Sequence, residues 1–154
     1  MSLRKAVIVL ALIGSAAPAR ADVALGVFIG DPTALDLKLG FDRVSALDLA
    51  FGVDAPDNNY GYYFHATYLA TLAVARGNAV NVPVRLGIGG ALFWDDRFSG
   101  TAFGARAPLE LALRFRRAPI EIYGELALLL VFIDPARNGV YPALQGGIGV
   151  RVYF

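Results

Sequence analysis

The chain has no cysteine among its 154 residues. That excludes a disulfide framework, thiolate metal sites, a cysteine nucleophile and a lipid-modified N-terminal cysteine. It has one histidine, His65, and its Asp and Glu residues are scattered without the ligand spacing of zinc or calcium sites. In Asp54-Ala55-Pro56-Asp57-Asn58 the acids read as turn formers. No metal or other cofactor is expected. Charge is scarce at 18%, and past the N-terminus no window reaches the roughly 18 consecutive apolar residues that a membrane-spanning helix needs. A basic stripe is lacking too, so nucleic acid is not an expected partner.

What the chain has in abundance is apolar side chains and glycine: 56% hydrophobic, 17 Gly, 10 Phe and 7 Tyr, with mean hydropathy +0.54. Such a composition is too apolar for an ordinary small soluble domain, so if the chain enters a membrane, strands must carry it there. The N-terminus reads as a secretory signal peptide over residues 1–21. Arg4 and Lys5 precede an apolar run from Ala6 to Ile13, Pro18 breaks it, and Ala19-Arg20-Ala21 forms a cleavage site before Asp22. The remaining residues, 22–154, form one domain with 11 basic against 13 acidic side chains, a net charge of −2.

From Val23 onward apolar residues alternate with small or polar ones in eight segments separated by turn chemistry. The segments are Val23 to Ile29, Ala34 to Phe41, Ser45 to Val53, Tyr62 to Val74, Val82 to Trp94, Ala102 to Phe115, Ile120 to Ile133, and the last fourteen residues from Tyr141 to Phe154. In the last, Leu144, Ile148, Val150, Val152 and Phe154 share one face, with Gln145, Gly147, Gly149, Arg151 and Tyr153 on the other. An even number of strands returns both ends to one side, as an up-and-down barrel requires. Connections after segments two and six are short, and those after three, five and seven are longer and polar. The connection after segment one is short and that after segment four is not, against the alternation. Pro83 and Pro108 fall within segments, where each removes a ladder hydrogen bond and suggests a bulge or a strand end.

Charge placement decides between a soluble barrel and a membrane barrel. Ten of the 24 charges beyond residue 21 fall on strand faces, and all ten on the less oily one: Lys38, Arg85, Arg106, Arg114 and Arg151, with Asp36, Asp48, Glu110, Glu121 and Glu125. Lipid contact demands this, because Lys or Arg at mid-membrane costs about 2–4 kcal/mol. An eight-stranded barrel is just wide enough to be filled by side chains. The expected lumen is therefore a plug of Arg–carboxylate pairs with His65 among them, Gly40, Gly52, Gly87 and Gly149 making room for long side chains, and no open pore. Tyr60, Tyr62, Tyr63, Trp94, Phe115, Tyr141, Tyr153 and Phe154 lie near segment ends, where they suit aromatic girdles; rim packing in a soluble barrel is the other reading.

Two features superficially suggest chemistry. Gly87-Ile88-Gly89-Gly90 and Gly146-Gly147-Ile148-Gly149 resemble phosphate loops, but neither opens a helix and neither is followed by Lys-Ser/Thr. His65 and Thr67 share a face with Asp48 or Glu125 nearby in pattern. A lipid A deacylase of the outer membrane uses a His-x-Ser pair with a carboxylate, but threonine is a poor nucleophile without a dedicated base, and His65 reads as a lumenal histidine held by a carboxylate. The chain is not expected to be an enzyme.

The stretch Gly30-Asp31-Pro32-Thr33-Ala34, then Leu37-Lys38 and Ser45-Ala46-Leu47-Asp48, then Phe64-His65-Ala66-Thr67-Tyr68-Leu69, and finally Gly147 through Phe154, resembles an uncharacterised bacterial family of small outer-membrane β-barrels. The likeness spans nearly all of residues 22–154. The family's pattern carries Gly at position 34 and an acid at position 67, where this chain has Ala and Thr. The resemblance implies architecture and location rather than an activity, and implies that Phe154 is the signal read by the outer-membrane assembly machinery. The expected protein is thus an all-β, eight-stranded antiparallel transmembrane barrel in the outer membrane. Its partners are lipids, the assembly machinery and an unidentified extracellular partner, and it is a monomer with a structural or surface-interaction role through loops Asp54 to Gly61, Asp95 to Thr101 and Asp134 to Pro142. A soluble periplasmic lipid-binding barrel is the runner-up, and an outer-membrane lipid-modifying enzyme the third.

Overall fold

A computed structural model of the chain describes residues 22–54, 61–95, 100–135 and 139–154. The expected signal peptide and Tyr60 lie outside the described residues. Eight strands follow in order: β1 Val23–Asp31, β2 Thr33–Gly40, β3 Ser45–Asp54, β4 Gly61–Arg76, β5 Val80–Asp95, β6 Gly100–Phe115, β7 Ile120–Ile133 and β8 Tyr141–Tyr153. Each pairs antiparallel with the next, and β1 pairs with β8 from Ala24↔Tyr153 to Asp31↔Gly146, so the sheet is a closed barrel. Closure leaves no strand edge with unpaired backbone groups. The all-β, eight-stranded antiparallel barrel read from the alternation is the fold observed.

Both ends of the described chain, the β2–β3 turn, the β4–β5 turn and the β6–β7 turn lie at one end of the barrel, here the turn end. The connection after β4 is only three residues, 77–79, and not the longer one expected, because β4 continues to Arg76 and β5 starts at Val80. The ladder Val74↔Pro83, Ala75↔Val82 and Arg76↔Asn81 carries both strands past the point where their apolar alternation fades. Asp42 closes the β2–β3 turn by accepting from the amides of Val44 and Ser45, both at 2.8 Å. The Val44 amide, with help from Ser45, holds its carboxyl below the usual carboxylate range.

Neither proline ends its strand. Pairing between β5 and β6 passes from Asn81↔Arg114 to Val84↔Leu111, skipping Pro83, and from Leu86↔Leu109 to Gly89↔Arg106, skipping Pro108. Each missing N–H thus coincides with a gap in one ladder, while the other ladder continues through Val74↔Pro83 and Pro108↔Ala127. A register shift between Thr71 and Ala73 in β4 stands beside Pro83.

The alternation sorts side chains as a membrane barrel does. Leu25, Val27, Ile29, Leu35, Phe51, Ile88, Leu109, Leu111, Leu126, Leu128, Leu144 and Ile148 are all exposed on the outer face. Among the strand residues whose side chains are described, exposed charged ones occur only at strand ends, at Asp31 and Arg76. Tyr62, Trp94, Phe115 and Phe154 also face outward near the ends. Tyr63, Tyr141 and Tyr153 lie equally near strand ends in the sequence but do not share their place. Tyr63 and Tyr153 are buried in the lumen and Tyr141 packs beside Tyr63, because their parity, not their closeness to an end, sets the face.

Glycines admit rings and backbone more than charged side chains. A Cβ on Gly149 would overlap the Tyr123 ring, its neighbour across β7–β8. A Cβ on Gly87 would meet Leu69, Thr67 and Pro108, and one on Gly52 would meet the backbone of β2. Two glycines stand beside charged residues: a Cβ on Gly26 would lie 2.8 Å from Cγ of Arg151, and one on Gly40 would lie 3.2 Å from Cβ of Asp22. Gly149→Val is expected to displace Tyr123 and to cost about 1–3 kcal/mol, the usual range for overpacking, read from urea unfolding of the barrel in lipid vesicles; unchanged stability would refute this packing role.

Candidate functional site

The lumen is layered along the barrel axis. At the loop end Tyr63, Ala91, Ala102, Leu129 and Val131 form a buried apolar cluster, with Phe93 packed against it and its ring 5.0 Å from that of Tyr63. Leu129 and Val131 are hidden in the sequence because residues 126–133 are apolar on both faces.

Beneath this plug lies a layer of mixed hydrogen-bonding groups. Arg106 donates to Glu125 Oε1 at 2.5 Å and to Thr67 Oγ1 at 3.1 Å, and its Nη1 lies 3.2 Å from His65 Nε2. His65 Nε2 is also 3.1 Å from Asp48 Oδ2, while Nδ1 is 3.0 Å from the Tyr63 hydroxyl. A ring protonated on Nδ1 donates to Tyr63, which passes its own hydrogen to Gln145 Oε1 at 3.1 Å and leaves Nε2 to accept from Arg106. A ring protonated on Nε2 instead pairs with Asp48 and accepts from Tyr63. His65 and Thr67 meet through Arg106 rather than each other, and Thr67 is wholly buried.

The next layer centres on Arg151, which is fully buried. Its guanidinium reaches four carboxylates: Nε to Asp36 Oδ2 at 2.5 Å, Nη2 to Asp48 Oδ1 at 2.7 Å, and Nη1 to Glu110 Oε2 at 2.6 Å and Glu121 Oε1 at 3.4 Å. It lies 3.6 Å over the Tyr123 ring, whose hydroxyl donates to Asp36. Arg85 donates to Glu110 and to Glu121, reaching Oε2 of the latter at 2.8 Å. Lys38 sits 3.5 Å from Glu121 and 3.9 Å from Glu110. Charges from β2, β3, β5, β6, β7 and β8 therefore meet in one cluster.

Of the eleven residues expected in the lumen network, ten are buried there, and Arg114 is not. Its side chain is 36% exposed and pairs at 2.9 Å with Asp22, itself 58% exposed. Arg114 stands one residue from the end of β6, where an inward side chain meets the open mouth instead of the closed interior. Among the described residues the lumen network thus holds four cations, Lys38, Arg85, Arg106 and Arg151, against five carboxylates, Asp36, Asp48, Glu110, Glu121 and Glu125, with His65 as a further titratable group. Tyr63, Tyr123 and Gln145, which complete the bonding, escape a search restricted to charges. Parity alone would have found them.

What this arrangement does is lock strands together. Among the described residues no group of three or more His, Cys, Asp or Glu could hold a metal ion, and the guanidinium groups take the place a cation would fill. Comparison with solved structures gives the N-terminal β-barrel domain of Pseudomonas aeruginosa OprF at TM-score 0.58, with 13% identity over 89% of this chain and 100% of that one. Neisserial surface protein A follows at TM-score 0.47, with 14% identity over 87% of this chain and 94% of the other. The first likeness establishes the eight-stranded barrel fold. No family model matches the chain, and no curated protein matches it by sequence.

Arg151→Met is expected to leave four carboxylates without their shared cation and to destabilise the barrel by about 3–5 kcal/mol. Arg114→Met, which removes only a rim pair, should stay within about 1 kcal/mol. Urea titrations of the two variants side by side check the contrast, and equal losses would remove Arg151 from the centre of the network.

Proposed function

We propose that the chain is a small monomeric outer-membrane β-barrel with a side-chain-filled lumen, serving as a structural or surface-interaction protein through its loop end. The observation that carries this reading is the inversion of the usual core: large apolar side chains cover the outside while nine charged ones fill the inside. A soluble barrel built to carry a lipid needs an apolar interior, so the same inversion weighs against that alternative. The turn end would face the periplasm and the loop end the exterior. Residues 1–21 would be removed on export between Ala21 and Asp22. Phe154, outward-facing and 81% exposed beside the closing β1–β8 seam, would be offered to the assembly machinery. Outer-membrane lipids are the partner of the apolar belt, and the loops take an extracellular partner.

His65 serves this protein as a hydrogen-bonding member of the lumen, not as a catalytic base. A buried Thr67 held by Arg106 supports that assignment, since among the described residues the hydroxyl two positions from the imidazole is already engaged.

Cell fractionation with gel mobility before and after boiling tests the reading directly. Outer-membrane recovery with heat-dependent mobility is expected, and a soluble protein without it refutes the proposal. In planar bilayers no steady large conductance should be seen. Leu126→Arg places a charge on a lipid-facing side chain that is 60% exposed and should destabilise the barrel in bilayers by about 2–4 kcal/mol. Indifference to that charge would place the outer face in water.

A further inference from the structure

The lumen is closed by apolar packing at the loop end, but at the turn end it opens into a vestibule of about 190 Å3. Asp22, Lys38, Ser45, Arg85, Arg114 and Tyr153 are among its lining residues. Its wall holds donors that the protein does not use. The Tyr153 hydroxyl has no hydrogen-bond partner, although the residue is only 8% exposed. Lys38 is 4% exposed and offers three N–H groups, yet reaches only Glu121 at 3.5 Å and Glu110 at 3.9 Å, long for ammonium and carboxylate. Arg114 spends Nη1 on Asp22 and rests its guanidinium 3.9 Å over the Tyr153 ring.

The acceptors that face this space are already engaged. Asp22 takes Arg114, Asp42 takes the amides of Val44 and Ser45, and Glu110 and Glu121 are held from the floor by Arg85 and Arg151. The surrounding field has the same sign as the donors. Arg43, Arg76, Arg114, Arg116 and Arg117 all lie at the turn end, against Asp22 and Asp42. Such a basic rim concentrates anions at the mouth.

We propose that this vestibule binds a phosphate-type oxyanion. Lys38 and the Tyr153 hydroxyl take the inner oxygens, and Arg114 closes over the outer ones. A charged acceptor with several oxygens uses all three kinds of donor at once and makes charge-assisted bonds to Lys38 and Arg114, which a neutral solute lacks and a cation cannot make. Free phosphate and the headgroup of an anionic phospholipid present the same group, and their sources are separable by experiment.

The test uses the isotope-labelled barrel in phosphatidylcholine nanodiscs, titrated with inorganic phosphate at constant ionic strength and followed by amide resonances. Saturable shifts at Lys38, Gly40 and Tyr153 are expected. Tyr153→Phe should weaken binding several-fold and Lys38→Met at least tenfold, whereas Thr101→Ala, an uncharged exposed side chain at the loop end, should leave it unchanged. If Lys38→Met does not fold, as judged by mobility before boiling, Tyr153→Phe decides. A second titration replaces free phosphate with phosphatidylglycerol in the nanodisc. Shifts at the same amides there assign the site to a headgroup, and shifts with inorganic phosphate alone assign it to a soluble anion. Absence of saturable shifts in both, or equal weakening by Tyr153→Phe and Thr101→Ala, overturns the proposal.

Discussion

A fully buried guanidinium shared by four carboxylates is the interaction on which the rest of this barrel depends. An arginine removed from water is costly unless nearly all of its donors are met, and Arg151 meets that condition through Asp36, Asp48, Glu110 and Glu121 while its flat face lies on Tyr123. Those partners come from β2, β3, β6 and β7. Backbone ladders join each strand only to its neighbours, so the side-chain cluster is what ties opposite walls of the cylinder together. A collapsed or flattened cylinder would break several of these pairs at once, and the round cross-section and the charge cluster sustain each other.

The alternation of side chains exposed a great deal of this in advance, and its misses have physical causes. Period-two patterning is read per strand, so it locates the inward charges on the six strands that carry them and, with them, the apolar outer belt. It could not say which base meets which acid, because those contacts cross the lumen. Asp48 and Arg151 are separated by 103 positions. Arg114 shows where inward ceases to mean buried, since near a strand's end the cylinder opens and a long side chain meets water and Asp22. In β7 the run Leu126 to Ile133 is apolar on both faces, so the plug residues Leu129 and Val131 cannot be told from the outward-facing Leu128 and Leu130 by composition. Aromatic residues near strand ends were misgrouped for the converse reason, because nearness to an end carries no information about face.

The lumen is asymmetric in chemistry as well as charge. Going from loop end to turn end, a dry cluster of Tyr63, Leu129 and Val131 gives way to the His65–Arg106 layer, then to the Arg151 cluster, then to a donor-lined mouth. Among the described residues the apolar layer fills the lumen at the loop end, and the cavity beside Lys38 and Tyr153 opens at the turn end.

The position of Arg151 in the chain order has a consequence for assembly. Its four carboxylates belong to strands made earlier, whereas Arg151 itself stands on β8, the strand that closes the seam against β1. Seven strands without the eighth would bring together five lumenal carboxylates and only three lumenal cations, Lys38, Arg85 and Arg106. An incomplete sheet is thus short of lumenal cations as well as open-edged, and the docking of one strand closes the edge and brings the lumenal cations from three to four against five carboxylates. Closure of the seam and completion of the charge cluster are therefore one event, because the residue at the centre of the cluster rides on the closing strand.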